Sequence, residues 1–142
     1  MPRVRVIGLC VLVLPAVGCG ESGPLLAPVS GIAIVNGKPL PVGSVSFRPD
    51  VAKGNTSPHH PTGSIAADGK YELFTLGKSG APPGHYKVLV FADANAAGGG
   101  AAHPKPPAWL TDPKYTAEKS TDLRVEVVSS PEPGRYDLKL SK

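Results

Sequence analysis

Apolar and polar residues alternate along most of the chain after residue 28, and turn residues divide that alternation into short segments. VSGIAIV (29–35) is rich in β-branched residues and ends at NGKPLP, where Asn36-Gly37 is a strong two-residue hairpin signal. In GSVSF (43–47), Val45 and Phe47 fall on one face and Ser44 and Ser46 on the other. GSIA (63–66) leads through ADGK into YELF (71–74), a second hairpin built on Asp68-Gly69. GHYKVLVFA (84–92) sets Tyr86, Val88 and Val90 against His85, Lys87, Leu89 and Phe91. LRVEVV (123–128) sets Leu123, Val125 and Val127 against Arg124 and Glu126, and RYDLKL (135–140) sets Tyr136, Leu138 and Leu140 against Arg135, Asp137 and Lys139. Side chains point to opposite faces along a strand, so each of these last two segments has one face for a core and one for solvent. Some seven such segments with turns between them predict an all-β sandwich of two sheets. No segment repeats with the helical period of 3.6.

Two stretches interrupt this pattern. Residues 50–62 (DVAKGNTSPHHPT) and 93–113 (DANAAGGGAAHPKPPAWLTDP) are rich in Pro, Gly, Ala and His. A connection as long as the second is unusual in a compact domain and is a natural place for function. Trp109, the only tryptophan, lies within it, and with Leu110 is expected to pin the loop to the sandwich.

The N-terminal stretch follows neither period. MPRVR carries two arginines and no acid, and Val6 to Val17 is a nearly unbroken apolar run. At 12 residues it is too short to span a bilayer, which needs about 20. A positive start, a short apolar run and small residues before a break are the marks of an export signal. Ala16, Val17 and Gly18 precede Cys19, and this stretch resembles the lipobox of bacterial lipoproteins, with Ala16 where leucine is usual. That resemblance implies a cysteine diacylated on sulfur and exposed as the new N-terminus after cleavage. Cys10 is the only other cysteine and would leave with the signal, so the mature chain could form no internal disulfide. Acylation accounts for the remaining thiol, and fatty chains add membrane affinity at about 0.8 kcal/mol per buried methylene. The expected organisation is therefore a signal peptide at 1–18, a linker at 19–28 after the lipid attachment site Cys19, and a β-domain at 29–142.

Composition and charge narrow the field further. Gly and Pro number 17 each, yet the Val- and Leu-rich segments between them suffice for the core of a single domain. The formal charge is +4; without Arg3 and Arg5, the remaining 13 basic side chains face 11 acidic ones. The lysines are scattered with no basic stripe or interleaved aromatics, which argues against nucleic acid as a partner.

VSGIAIVNGKPLPVGSVSFRP (29–49), GSIAADGKYEL (63–73), GAPPGHYKVLV (80–90) and PKYTAEKSTDLRVEV (113–127) together resemble one protein group. These are the small lipoproteins, abundant in planctomycete-type bacteria, that carry a carboxypeptidase regulatory-like (transthyretin-like) domain. The shared features are Gly31 followed by Asn36 to Pro41, the hairpin Asp68 to Leu73, and the strand entry Pro83 to Val88. The resemblance covers nearly all of the chain after Cys19. It implies a seven-stranded Greek-key β-sandwich, immunoglobulin-like in architecture, and adds weight to the lipobox; it implies no catalytic activity.

Candidate chemistry is sparse. GKSG (77–80) lacks the first glycine of a phosphate-binding loop, since Glu72 stands there, and it opens no helix. Ser79 lacks the surroundings of a hydrolase nucleophile, with Ala81 in place of the final glycine. DANAAGGG starts like a calcium loop but places Ala97 and Pro104 at ligand positions. His59 and His60 are neighbours that diverge on an extended chain; only a meeting of the two long loops would bring them to His103, and no further ligand completes a metal site. Asn36, Asn55 and Asn95 fall in turns or loops, away from any buried acid that could drive an isopeptide bond, and Asp137 is on a polar face. The expectation is a non-enzymatic, lipid-anchored cell-envelope protein without cofactor or metal. Its partners would be a membrane, through Cys19, and an envelope protein, through its long loops or a sheet edge. The alternative is a module binding carbohydrate or metal.

Overall fold

A computed structural model describes residues 23–97 and 105–142. Cys10, Cys19 and His103 lie outside the described residues. The fold is predominantly β, with strands β1 (Ser30–Val35), β2 (Lys38–Pro39), β3 (Gly43–Pro49), β4 (Thr62–Ile65), β5 (Lys70–Glu72), β6 (Phe74–Thr75), β7 (Lys78–Ser79), β8 (Gly84–Phe91), β9 (Arg124–Val127) and β10 (Leu138–Leu140). Short 3-10 turns at Val51–Lys53, Ala94–Ala97 and Pro113–Thr116 are the only helical elements among the described residues.

The strands form a curled sheet in the order β10-β1-β5-β4-β3-β8-β9, antiparallel except where β10 runs parallel to β1. The curl begins within β1, which changes partners halfway along. Ser30 to Ile32 pair with β5, whereas Ala33 to Val35 pair with β10 and, at the last two positions, with β2. Asp137 bridges this change by accepting the Ile32 N–H at Oδ1, 3.0 Å away. Tyr71, buried on β5, donates its hydroxyl to the carbonyl of Tyr136 at the same seam. Burial pushes the Tyr71 hydroxyl pKa up, and the nearby Asp137 charge adds to the shift.

The predicted alternation places the core. Val45 and Phe47 of β3 pair with Val90 and Val88 of β8, and all four are fully buried. Tyr86 stacks at a tilt on Phe47, with ring centroids 5.6 Å apart, and donates to the Pro82 carbonyl. Leu40, Leu73, Val29 and Val127 close the cluster, and Tyr115 from the 3-10 turn packs into it. The other face of β3 and β8 is partly covered as well, because Ser46 and its partner Leu89 are both buried. The polar face expected there is thus half interior.

Three departures from the sequence reading have local causes. The expected strand 71–74 breaks at Leu73, whose N–H turns to Val29 and whose carbonyl accepts from Gly80. Beyond the break, β6 and β7 form an additional hairpin across Leu76-Gly77. The expected strand 135–140 begins only at Leu138, because Arg135 and Asp137 bond back to Glu132 and Gly134 in turns. Tyr136 is buried all the same. Between β4 and β5 the sheet draws so close at Gly63 that an added Cβ would stand 1.9 Å from the Glu72 carbonyl oxygen.

Register also sorts the connections to two ends of the sheet. One end carries Asn36-Gly37, Asp68-Gly69 and the loop after β8. The other carries the N-terminal segment, the 3-10 turn after β3, the β6–β7 hairpin and the turn before β10.

Candidate binding surfaces

The outer face of β1, β5, β4 and β3 is concave. Period-two alternation sends Val45, Ile65 and Tyr71 inward, so Ser44, Ser64, Thr62, Ser30, Lys70 and Glu72 point outward around a depression of about 690 Å³. Phe74 forms its rim and is 44% exposed. Four hydroxyls across neighbouring strands offer donors and acceptors to a polar ligand, and one aromatic ring stands beside them. At one side, Ser79 donates to Glu72.

A second area of the same outer face, on β3, β8 and β9, is a field of ion pairs. Arg48 meets His60 Nδ1 and lies 3.8 Å from Glu118. Glu126 faces His85 at 3.8 Å and Arg135 at 3.7 Å. Asp50 is the buried member: its carboxylate lies 3.8 Å from Arg124 Nε, and Oδ1 has no hydrogen-bond partner among the described residues. Asp50, Lys53, His85, Arg124 and Glu126 surround a cavity of about 230 Å³. No serine, threonine or cysteine lines this cavity, and the one hydroxyl present, on Tyr86, is committed to Pro82. Among the described residues, a hydroxyl or thiol nucleophile is therefore not presented there. Among the described residues no three His, Cys, Asp or Glu side chains approach closely enough to hold a metal ion.

The predicted loop features fall in different places. Trp109 is half-buried and its backbone bridges to Asp93, while the Leu110 side chain packs on the core and holds this end of the long loop. Asp93 closes the loop base by accepting from Asn95 and Ala108, both at 2.9 Å. Downstream, a hydrogen bond from Lys114 holds the Asp122 carboxyl below the usual carboxylate range. Asn55 is buried and structural: it donates to the His85 carbonyl and accepts from Ser57. His59 is half-buried, and His60 is exposed against Arg48.

The edge of β9 is guarded. Leu123 accepts from Val88 of β8, so the alternate residues 124, 126 and 128 turn their backbone groups outward. Arg135 Nε donates to the Glu126 carbonyl at 3.3 Å, and the Val128 N–H donates to Tyr136 Oη at 3.1 Å. These contacts occupy the Glu126 carbonyl and the Val128 N–H, two of the outward groups that an added strand would use.

The sequence reading missed the concave face, because its hydroxyls are scattered over residues 30–64 and only strand pairing gathers them. The alternation of Ser44, Ser64 and Lys70 was its one visible trace. Searches for a matching family model, a similar curated protein and a similar solved structure found none.

Proposed function

We propose that this chain is a non-enzymatic, lipid-anchored module of a bacterial cell envelope, which displays its concave sheet face to an envelope protein. In this reading residues 1–18 are removed, Cys19 carries the acyl chains, and the domain is a seven-stranded Greek-key β-sandwich of the transthyretin-like kind. The switch of β1 from β5 to β10 supports a two-layer arrangement, since it carries one strand from one ladder into another. The observation that carries the binding role is the depression bounded by Ser30, Ser44, Thr62, Ser64 and Phe74, a large concave surface whose four hydroxyls make no side-chain hydrogen bond among the described residues. The test is a cross-linking pull-down from native membranes with a photoreactive group at Ser64, beside the same group at Lys139. A partner captured from Ser64 alone supports the reading; equal capture from both, or from neither, counts against it.

One observation favours a second reading, carbohydrate binding. Phe74 presents an exposed ring beside the hydroxyl-lined depression, where a sugar face could stack and its hydroxyls be met. Trp109 does not line this depression. Glycan binding that is lost on Phe74→Ala and kept on Trp109→Ala would select this reading.

A further inference from the structure

Four large apolar side chains are exposed among the described residues: Leu25 (89%), Leu76 (74%), Val51 (71%) and Phe74 (44%). Single exposed leucines are ordinary on soluble proteins. These four, however, share one end of the sheet. β3 runs toward that end and Val51 follows it; β5 runs the same way, and the β6–β7 hairpin continues past it with Leu76 at the turn.

The N-terminal segment leaves from this end too. Ala27 and Ala81 exchange backbone hydrogen bonds, both 2.9 Å long. Leu26 lies against Gly80, and a Cβ on Gly23 would sit 3.5 Å from Lys78 Nζ. Cys19 is four residues before Gly23, a reach of at most about 14 Å. An acyl anchor on Cys19 would therefore hold this end, and not the opposite one, against the bilayer.

Leu76 adds an independent sign. It adopts φ +50 and is followed by Gly77 at φ +76, a backbone that disfavours a leucine. Its exposure leaves little packing within the domain to offset that cost. Lys53 and Lys78 follow Val51 and Leu76, respectively, by two residues and form no ion pair among the described residues, whereas Glu72 is engaged by Ser79.

We infer that this end of the domain is a membrane-contact surface, on which the Leu76 hairpin tip and Val51 enter the headgroup boundary of an anionic phospholipid bilayer. Lys53 and Lys78 meet the anionic headgroups. The diacylated cysteine supplies the attachment, and the apolar-basic patch adds a second contact that orients the domain. The tip then fixes the orientation of the domain, turning the long loop after β8 away from the membrane. This inference rests on the anchor proposed above for its geometry, and the two can fail separately.

The test places a nitroxide label at residue 76, through Leu76→Cys, in the full chain carrying Cys10→Ala. The protein is purified from membranes and reconstituted in vesicles of phosphatidylethanolamine and phosphatidylglycerol. Val51→Cys provides a second label on a different turn, and Lys38→Cys a control at the opposite end. Intact mass of the N-terminus reports acylation of Cys19 in the same samples. The expected result is that labels at 76 and 51 collide several-fold more with oxygen, relative to a water-soluble nickel complex, than the label at 38. Acylated protein in which 76 and 51 are as water-accessible as 38 overturns the contact. Dipolar broadening at 76 without immersion assigns the patch to a second copy and also overturns it. Should Cys19 prove unmodified, the labels are read again in protein carrying Cys19→Ser, and immersion there removes the anchor and leaves the contact standing.

Discussion

The β1–β2 and β6–β7 hairpins turn at opposite ends of the sheet with almost the same backbone. Asn36 and Gly37 have φ of 48 and 80; Leu76 and Gly77 have 50 and 76. Both join strands through two residues, with Val35 opposite Lys38 and Thr75 opposite Lys78. Positive φ at both central positions is the arrangement that matches the twist of a hairpin. Asparagine tolerates it and leucine does not. The distal turn therefore carries the residue that its backbone prefers, and the proximal turn carries one that its backbone resists. Local folding energy accounts for the first choice. The second needs a reason outside the turn, and the shared end of Leu76 and Val51 supplies one in a surface they contact together.

The seam where β1 changes partners links the two ends, and breaking it has the largest expected effect. Tyr71→Phe removes the donor to the buried Tyr136 carbonyl and should cost about 1–3 kcal/mol in urea unfolding, with both hairpins weakened alike. The variant should also change the pH profile. Because burial raises the Tyr71 pKa, its contribution is complete below the ordinary tyrosine value of about 10 and is lost as pH climbs through the higher folded value. Tyr71→Phe should therefore flatten the alkaline loss of stability, leaving a smaller part from Tyr86, whose pKa burial also raises. An unchanged alkaline limb would show that the Tyr71 hydroxyl is less buried than the seam requires.

The same contrast explains what was readable in the sequence. Asn36-Gly37 and Asp68-Gly69 announced their hairpins because their residue types suit the backbone. Leu76-Gly77 did not, and the β6–β7 hairpin went unread because leucine is no turn signal. Alternation located Val45, Phe47, Tyr86, Val88 and Val90 in the core, since their burial follows from strand period alone. It could not reveal that Leu89 and Ser46 are also covered, or that β10 runs parallel to β1, because both depend on segments distant in sequence. For the same reason the sequence drew attention to Trp109 in a long loop, whereas pairing of β4 with β6 sets Phe74 beside the hydroxyls of the concave face.

Glycine substitutions sharpen the comparison by testing whether the two turns are equivalent in backbone. A Cβ at either Gly37 or Gly77 would meet nothing within 4 Å, so neither site adds a clash to the cost of positive φ. Gly37→Val and Gly77→Val should each destabilise by about 1–2 kcal/mol, and by similar amounts. Thermal unfolding of the two variants side by side checks this. A much larger loss at one turn would mean that its surroundings, and not its φ angles, set the penalty.

The smallest effects come from exchanging the residues that differ, and they bear most directly on the comparison. Leu76→Asn places a tolerant residue at φ +50 and gives up an exposed side chain, so the protein in solution should gain about 1 kcal/mol. Asn36→Leu does the reverse at φ +48 and should lose about as much. Opposite signs in denaturant unfolding would establish that Leu76 costs the isolated domain stability. A loss on Leu76→Asn would instead show that the leucine packs within the fold, and the argument from strain would fail with it. Measured on vesicles, the stabilised Leu76→Asn domain should be the more loosely oriented, because the side chain that the fold resists is the one the membrane surface receives.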